Sequence, residues 1–212
     1  YGVALRITPA QLRAVAAHLY GELLAGGYTQ VCEFHYLQRA SDGSPYADPA
    51  EMAWALADAA SDAGIGLTLL PTLYERSGFG AQGLRDDQRR FRTTTADVLA
   101  VQRAVRAAAR PLLDVGAAIH SLRAAHPEAL LELADRSDGP LHIHVAEQLS
   151  EVRDCLDATG CRPIEWLLRH ARLDARWQLV HATHSVPTEV DGVAARGAGV
   201  VLCPGTEANL GD

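Results

Sequence analysis

At 212 residues the chain has the length of one domain or a large part of one. Hydrophobic residues make up 48% and charged residues 21%, a globular balance that excludes collagen-like, coiled-coil and wholly disordered chains. The net charge is -7 and all 19 basic residues are arginine, with no basic run among them, so nucleic acid is not the expected partner. No apolar run approaches the roughly 18 residues of a membrane helix, and the opening YGVALRITPAQLR lacks the grammar of a signal peptide. The expectation is a cytoplasmic protein that does not enter a membrane. Four cysteines without CxxC spacing read as reduced, mostly buried thiols rather than a zinc ribbon or disulfide framework.

The predicted elements alternate in type along the chain. A helix follows Thr8 and Pro9 and closes at Gly26-Gly27, then a strand covers 29 to 34. Tyr46 and the Asp48-Pro49 turn are structural, and a second helix runs from Pro49 to Gly64 before a strand at 67 to 73. Residues 77 to 91 are Gly-rich and charged, which predicts a long loop after that strand. Further strands are predicted at 115 to 121, 141 to 147, 177 to 183 and 199 to 205, with amphipathic stretches between them. Six βα units of this kind fit an α/β fold, either an open doubly wound sheet or most of a (β/α)8 barrel. The barrel is favoured because polar groups close four different strands: His35, His120, His144 with Glu147, and His181. No GxGxxG or Walker pattern supports a nucleotide-binding sheet. The spacing predicts about six of eight units in a single partial barrel domain over 1 to 212, with the first and last strands missing and two sheet edges left open.

Three segments could carry chemistry. In HIHVAEQ (142 to 148), alternation puts His142, His144 and Ala146 on one face, with His144 last before the loop. A neutral imidazole there suits zinc, and Glu147 could move protons beside it. His142, one pleat deeper, reads better as a hydrogen-bonded structural histidine. In LVHATHS (179 to 185), His181 ends its strand as His144 does, whereas His184 sits on the loop. In GAAIHSLRAAHPEAL (116 to 130), His120 and Arg123 straddle a strand end; Arg123 either grips a carboxylate of a ligand or pairs with a neighbouring acid at a helix start. Glu33, His35 and Tyr36 of CEFHY lie near the same mouth, where Tyr36 offers a phenol.

These motifs in this order, EFHY, YADPAEM, GIGLTLLP, HSLRA, HIHVAEQ, RPIEWL, LVHATH and CPGTEANLGD, closely resemble the formimidoylglutamate deiminases (N-formimino-L-glutamate iminohydrolases) of the amidohydrolase superfamily. The resemblance runs from about Leu12 to Asp212. It implies a distorted (β/α)8 TIM-type barrel, one catalytic divalent metal, usually Zn2+, and hydrolysis of a formimino C=N in histidine degradation. It makes His144 the metal ligand, Glu147 the catalytic proton shuttle, His181 the catalytic histidine that orients hydroxide, and Tyr36, His120 and Arg123 the binders of a small acidic substrate. A homodimer is implied at full length. The family also holds its metal with an HxH pair after the first strand and an Asp after the eighth. Neither segment is present here, so this piece is expected to be inactive by itself. The loop LQRASDG (37 to 43) departs from the family, which tends to carry histidines after the tyrosine. Two alternatives stay open: a related deaminase or chlorohydrolase acting on a heterocycle, and a non-catalytic barrel fragment.

Overall fold

The computed structural model describes residues 2–211. Helix α1 (Pro9–Ala25) begins where the Thr8 hydroxyl accepts from the Gln11 amide at 3.2 Å and the Gln11 side chain accepts from the Thr8 amide at 3.0 Å. Strand β1 (Gln30–His35) follows, then α2 (Glu51–Ala63) and the fully buried β2 (Gly66–Leu73). Asp48 accepts from the Ala50 amide and the Trp54 indole at 2.8 and 2.9 Å, which makes its turn structural, as expected. After β2 the chain forms a 3-10 turn (Asp86–Phe91), then α3 (Thr95–Ala107), β3 (Leu113–Val115), β4 (Ala117–Ile119) and α4 (Pro127–Arg136). It continues through β5 (Leu141–Val145), α5 (Leu149–Thr159), α6 (Pro163–His170), β6 (Trp177–His181), α7 (Pro187–Ala195), β7 (Gly199–Val201) and α8 (Pro204–Leu210).

All strand pairs are parallel, and the sheet order is β1-β2-β4-β5-β6-β7, with β3 also on β2. Apart from β3 and β4, which both pair with β2, each strand therefore lies beside its successor in the chain. Right-handed crossovers then put the helices on one face, as in a barrel and unlike a doubly wound sheet. The curvature can be measured. Phe34 on β1 and His144 on β5 are separated by β2 and β4, so a flat sheet would hold them about 14 Å apart. Their ring centroids are 4.2 Å apart. The sheet is a parallel half-barrel of six strand positions, and β1 and β7 end it on either side.

The convex face is apolar: Ile119, Leu141, Ile143, Val145 and Leu179 pack with Leu130, Leu133, Ile164 and Leu167 in one cluster, and a second joins α1 and α2 to β2. The concave face carries Phe34, His142 and His144, whose rings meet.

Several predicted boundaries need correction. The strand expected over 115 to 121 is broken at Gly116, where a Cβ would lie 2.2 Å from the Pro140 carbonyl oxygen. The last strand stops at Val201, and Pro204 starts a helix instead. The 77 to 91 segment is partly an anchor: Arg90, 1% exposed, donates to the carbonyls of Ala4, Ile7 and Arg39 at 2.6 to 2.8 Å. All four cysteines are free, but Cys32 is exposed on the open concave side and Cys203 is half-buried, so only Cys155 and Cys161 match the expectation of burial. Among the described residues no helix is long and apolar enough to cross a membrane.

Candidate active site

The C-terminal ends of β4, β5 and β6 converge. His144 Nδ1 lies 3.0 Å from the carbonyl oxygen of His120. A carbonyl can only accept, so Nδ1 carries the proton and the Nε2 lone pair is left for a ligand. Burial pushes the His144 pKa down to about 4, the bond to the His120 carbonyl opposing it, so the ring is neutral at physiological pH. The chain then turns sharply: Ala146 (φ 51°), His181 (φ 71°) and Ala182 (φ 53°) are left-handed, a conformation that costs non-glycine residues of order 1 to 3 kcal/mol. Hydrogen bonds between the two turns hold them, from the Ala182 amide to the Val145 carbonyl and from the His184 amide to the Ala146 carbonyl, both at 3.0 Å. The His181 ring stacks on His144 with centroids 5.7 Å apart. Its Nε2 is 3.4 Å from Glu147 Oε1, and its Nδ1 is 3.3 Å from Glu207 Oε1. An imidazole with a carboxylate at each nitrogen can relay a proton toward either.

Tyr36, His120 and Arg123 form the adjacent wall. The Tyr36 hydroxyl is 2.9 Å from His120 Nδ1, and an Arg123 guanidinium nitrogen is 3.4 Å from His120 Nε2. Arginine can only donate, so Nε2 accepts and Nδ1–H donates to the phenol oxygen. The Tyr36 proton is thereby left for a ligand. Burial above all depresses His120 to about 3, in keeping with a neutral ring. Burial likewise raises the Tyr36 phenol, which stays protonated. Among the described residues Arg123 makes no ion pair with a carboxylate. It sits in a turn rather than at a helix start, so the pairing with a neighbouring acid that the sequence left open is not formed. Arg76 fixes this turn by donating to the carbonyls of Leu122 and Arg123 at 3.0 and 3.1 Å, and Glu75 accepts from the His126 amide at 2.8 Å.

All six residues singled out for the site thus lie in one chain of contacts, with His120 and His144 rings 5.6 Å apart. Glu33 does not join them: it accepts from Tyr20 of α1 at 3.3 Å, on the helix side of β1, because it alternates with Phe34. His35 leaves β1 on that same side and is 3% exposed. His142 is buried deeper on the concave face, edge-on to Phe34, and fits a structural role. His184 contributes its backbone to the turn.

Besides Glu75, two acids escaped the sequence reading. Glu151 accepts from the amides of Ala146 and Glu147 at 3.0 and 2.9 Å, which fixes the turn that presents Glu147. Glu207 accepts from the Cys203 amide at 3.0 Å as well as facing His181. The E-V pair after HIHVAEQ and the TEA of the last motif were the available signals.

Comparison with known proteins bears on the fold and the family. A formimidoylglutamate deiminase from Pseudomonas aeruginosa is 46% identical over 218 residues, covering 100% of this chain and 48% of that protein. A 5-methylthioadenosine/S-adenosylhomocysteine deaminase from Natronomonas pharaonis is 29% identical over 98% of this chain and 44% of its own length. The crystal structure of an amidohydrolase from Brucella melitensis superposes with a TM-score of 0.90 at 46% identity, over 99% of this chain and 47% of that one. A zinc-bound adenosine deaminase from Xanthomonas campestris shares the fold at a TM-score of 0.76 and 24% identity, over 99% of this chain and 43% of that one. The chain spans about half the length of the curated relatives it matches. With the Amidohydrolase family profile matched over residues 3–212, the chain belongs to the amidohydrolase family.

Proposed function

We propose that this chain forms one wall of the site of a metal-dependent iminohydrolase. The enzyme converts N-formimino-L-glutamate and water to N-formyl-L-glutamate and ammonia. The observation that carries the reading is Arg123: a half-buried guanidinium with no carboxylate partner among the described residues, next to His120 and within the ring chain that leads to His144. Such a group calls for an anionic ligand, and formimino-glutamate carries two carboxylates. The similarity to a formimidoylglutamate deiminase supports the same substrate class.

A divalent cation fits His144, whose Nε2 is free, whose ring is neutral and whose Nδ1–H is held by a carbonyl. When bound, zinc supplies Lewis-acid acidification of water. The residues of this chain do the rest. Arg123 takes one substrate carboxylate in a fork, the Tyr36 hydroxyl donates to the other, and His120 orients both donors. His181 holds the attacking water against the formimino carbon. Glu147 accepts the water's proton and returns it to the nitrogen that leaves as ammonia. Three protein ligands are usual at a catalytic zinc and His144 supplies one of them. The 212 residues alone are therefore expected to hold zinc weakly at His144 and to turn over no substrate.

The test is ammonia release by an enzyme of its relatives' full length that carries this sequence. Arg123→Met is expected to lower kcat/KM for formimino-glutamate by roughly tenfold to a hundredfold, the worth of a charged hydrogen-bond pair. Formimino-glycine, with one carboxylate, is expected to lose much less. Equal losses for both substrates, or preferred turnover of a neutral heterocycle, would overturn the assignment.

A further inference from the structure

We infer a divalent-cation site built from Nδ1 of His181, Sγ of Cys203 and a carboxylate oxygen of Glu207, with zinc or a similarly soft ion as its ligand. The three donor atoms lie within 4.8 Å of one another. They come from the end of β6 and from the junction of β7 with α8. Thiolate, imidazole and carboxylate together are the donor set of zinc rather than of calcium or magnesium. The geometry is close to closed. Nitrogen and oxygen ligands around tetrahedral zinc stand about 3.3 Å apart, and His181 Nδ1 and Glu207 Oε1 are 3.3 Å apart. The corresponding sulfur edge is about 3.6 Å, so with all donors within 4.8 Å capture shortens the edges to Cys203 by about 1.2 Å at most.

The donors are also held before any ion arrives. His181 is fixed by its left-handed backbone, and Glu207 by the Cys203 amide at 3.0 Å. A cavity of about 460 Å³ has His181 and Glu207 in its wall, with Leu202 and Val200 beside them. Water from this cavity can complete the coordination. The site lies on the opposite ring nitrogen from Glu147, which faces His181 Nε2.

Occupation changes what His181 can do, a consequence that rests on the function proposed above. On binding, Cys203 releases its thiol proton to solvent. Nδ1 gives its lone pair to the ion, so the single ring proton sits on Nε2. His181 then faces Glu147 as a donor and can no longer accept a proton there. The site thus fixes which ring proton His181 presents to Glu147.

Cobalt(II) added to the metal-free 212-residue chain reads the site without any activity. The expected result is a thiolate-to-cobalt charge-transfer band that saturates at one equivalent. It is lost in Cys203→Ser and in His181→Ala, and it persists in His144→Ala, because His144 is not one of the three donors. Far-ultraviolet circular dichroism checks that each variant is folded, and Cys203→Ser is a mild change at a half-buried position. No band at one equivalent in the folded wild type would overturn the inference. A band that survives Cys203→Ser, or one abolished by His144→Ala, would overturn it equally. None of these outcomes bears on whether His144 holds the catalytic ion at full length.

Discussion

Glu151 offers the sharpest test of how the site is held in shape. Its two carboxylate oxygens accept from the amides of Ala146 and Glu147, at a turn where Ala146 adopts φ 51°. Glu151→Ala strips both acceptors. Ala146 is 1% exposed, so its amide finds no water and should cost about 1 to 3 kcal/mol. The Glu147 amide lies nearer the surface and should cost about 1 kcal/mol. The sum is about 2 to 4 kcal/mol, or roughly 5 to 15 °C of melting temperature for a chain this long. Glu151→Gln keeps one acceptor and should lose about half as much. Urea unfolding followed by circular dichroism measures both. If Glu151→Ala unfolds within about 0.5 kcal/mol of wild type, the two bonds do not hold the turn and Glu147 is positioned by something else.

Arg90→Met should destabilise by about 3 kcal/mol, because the carbonyls of Ala4, Ile7 and Arg39 lose their donor; a calorimetric scan that shows no change would contradict that role. Acid should destabilise the chain. Burial depresses His35, His142 and His144 to about 4 and His120 to about 3, so the unfolded chain binds more protons below about pH 6.5. The stability these rings contribute is present above that pH and is lost as pH falls toward 3 to 4. Melting temperatures at pH 7 and pH 5 check this, and equal values would count against four buried neutral rings. In the full-length enzyme Tyr36→Phe should raise KM for formimino-glutamate by about tenfold with a smaller change in kcat, the mark of a lost ground-state hydrogen bond. An unchanged KM would remove Tyr36 from the binding wall.

The barrel was legible because local rules and topology agree in it. Short apolar runs ending in histidine at four strand termini gave the strands, three of those histidines gave the site mouth, and the convergence of His120, His144 and His181 follows from strand order. The break at Gly116 was not legible, since what forbids a side chain there is the Pro140 carbonyl, a contact made only after folding. Glu33 and His35 were misplaced because proximity to a strand end says nothing of which face a residue takes. Glu151, Glu207, Glu75 and Arg76 were missed for a related reason: each acts by accepting from or donating to backbone of a turn, and no pattern of residue types marks such a bond. The left-handed backbone at His181 is likewise invisible in a sequence that has no glycine there.

The most direct test of the metal-dependent hydrolase reading is to measure zinc content and ammonia release together in the full-length enzyme and in its His144→Ala variant. Loss of both the stoichiometric metal and the release of ammonia from formimino-glutamate is the expected result, because Nε2 of His144 is the lone pair that the fold leaves free. A variant that kept its zinc and its turnover would contradict it.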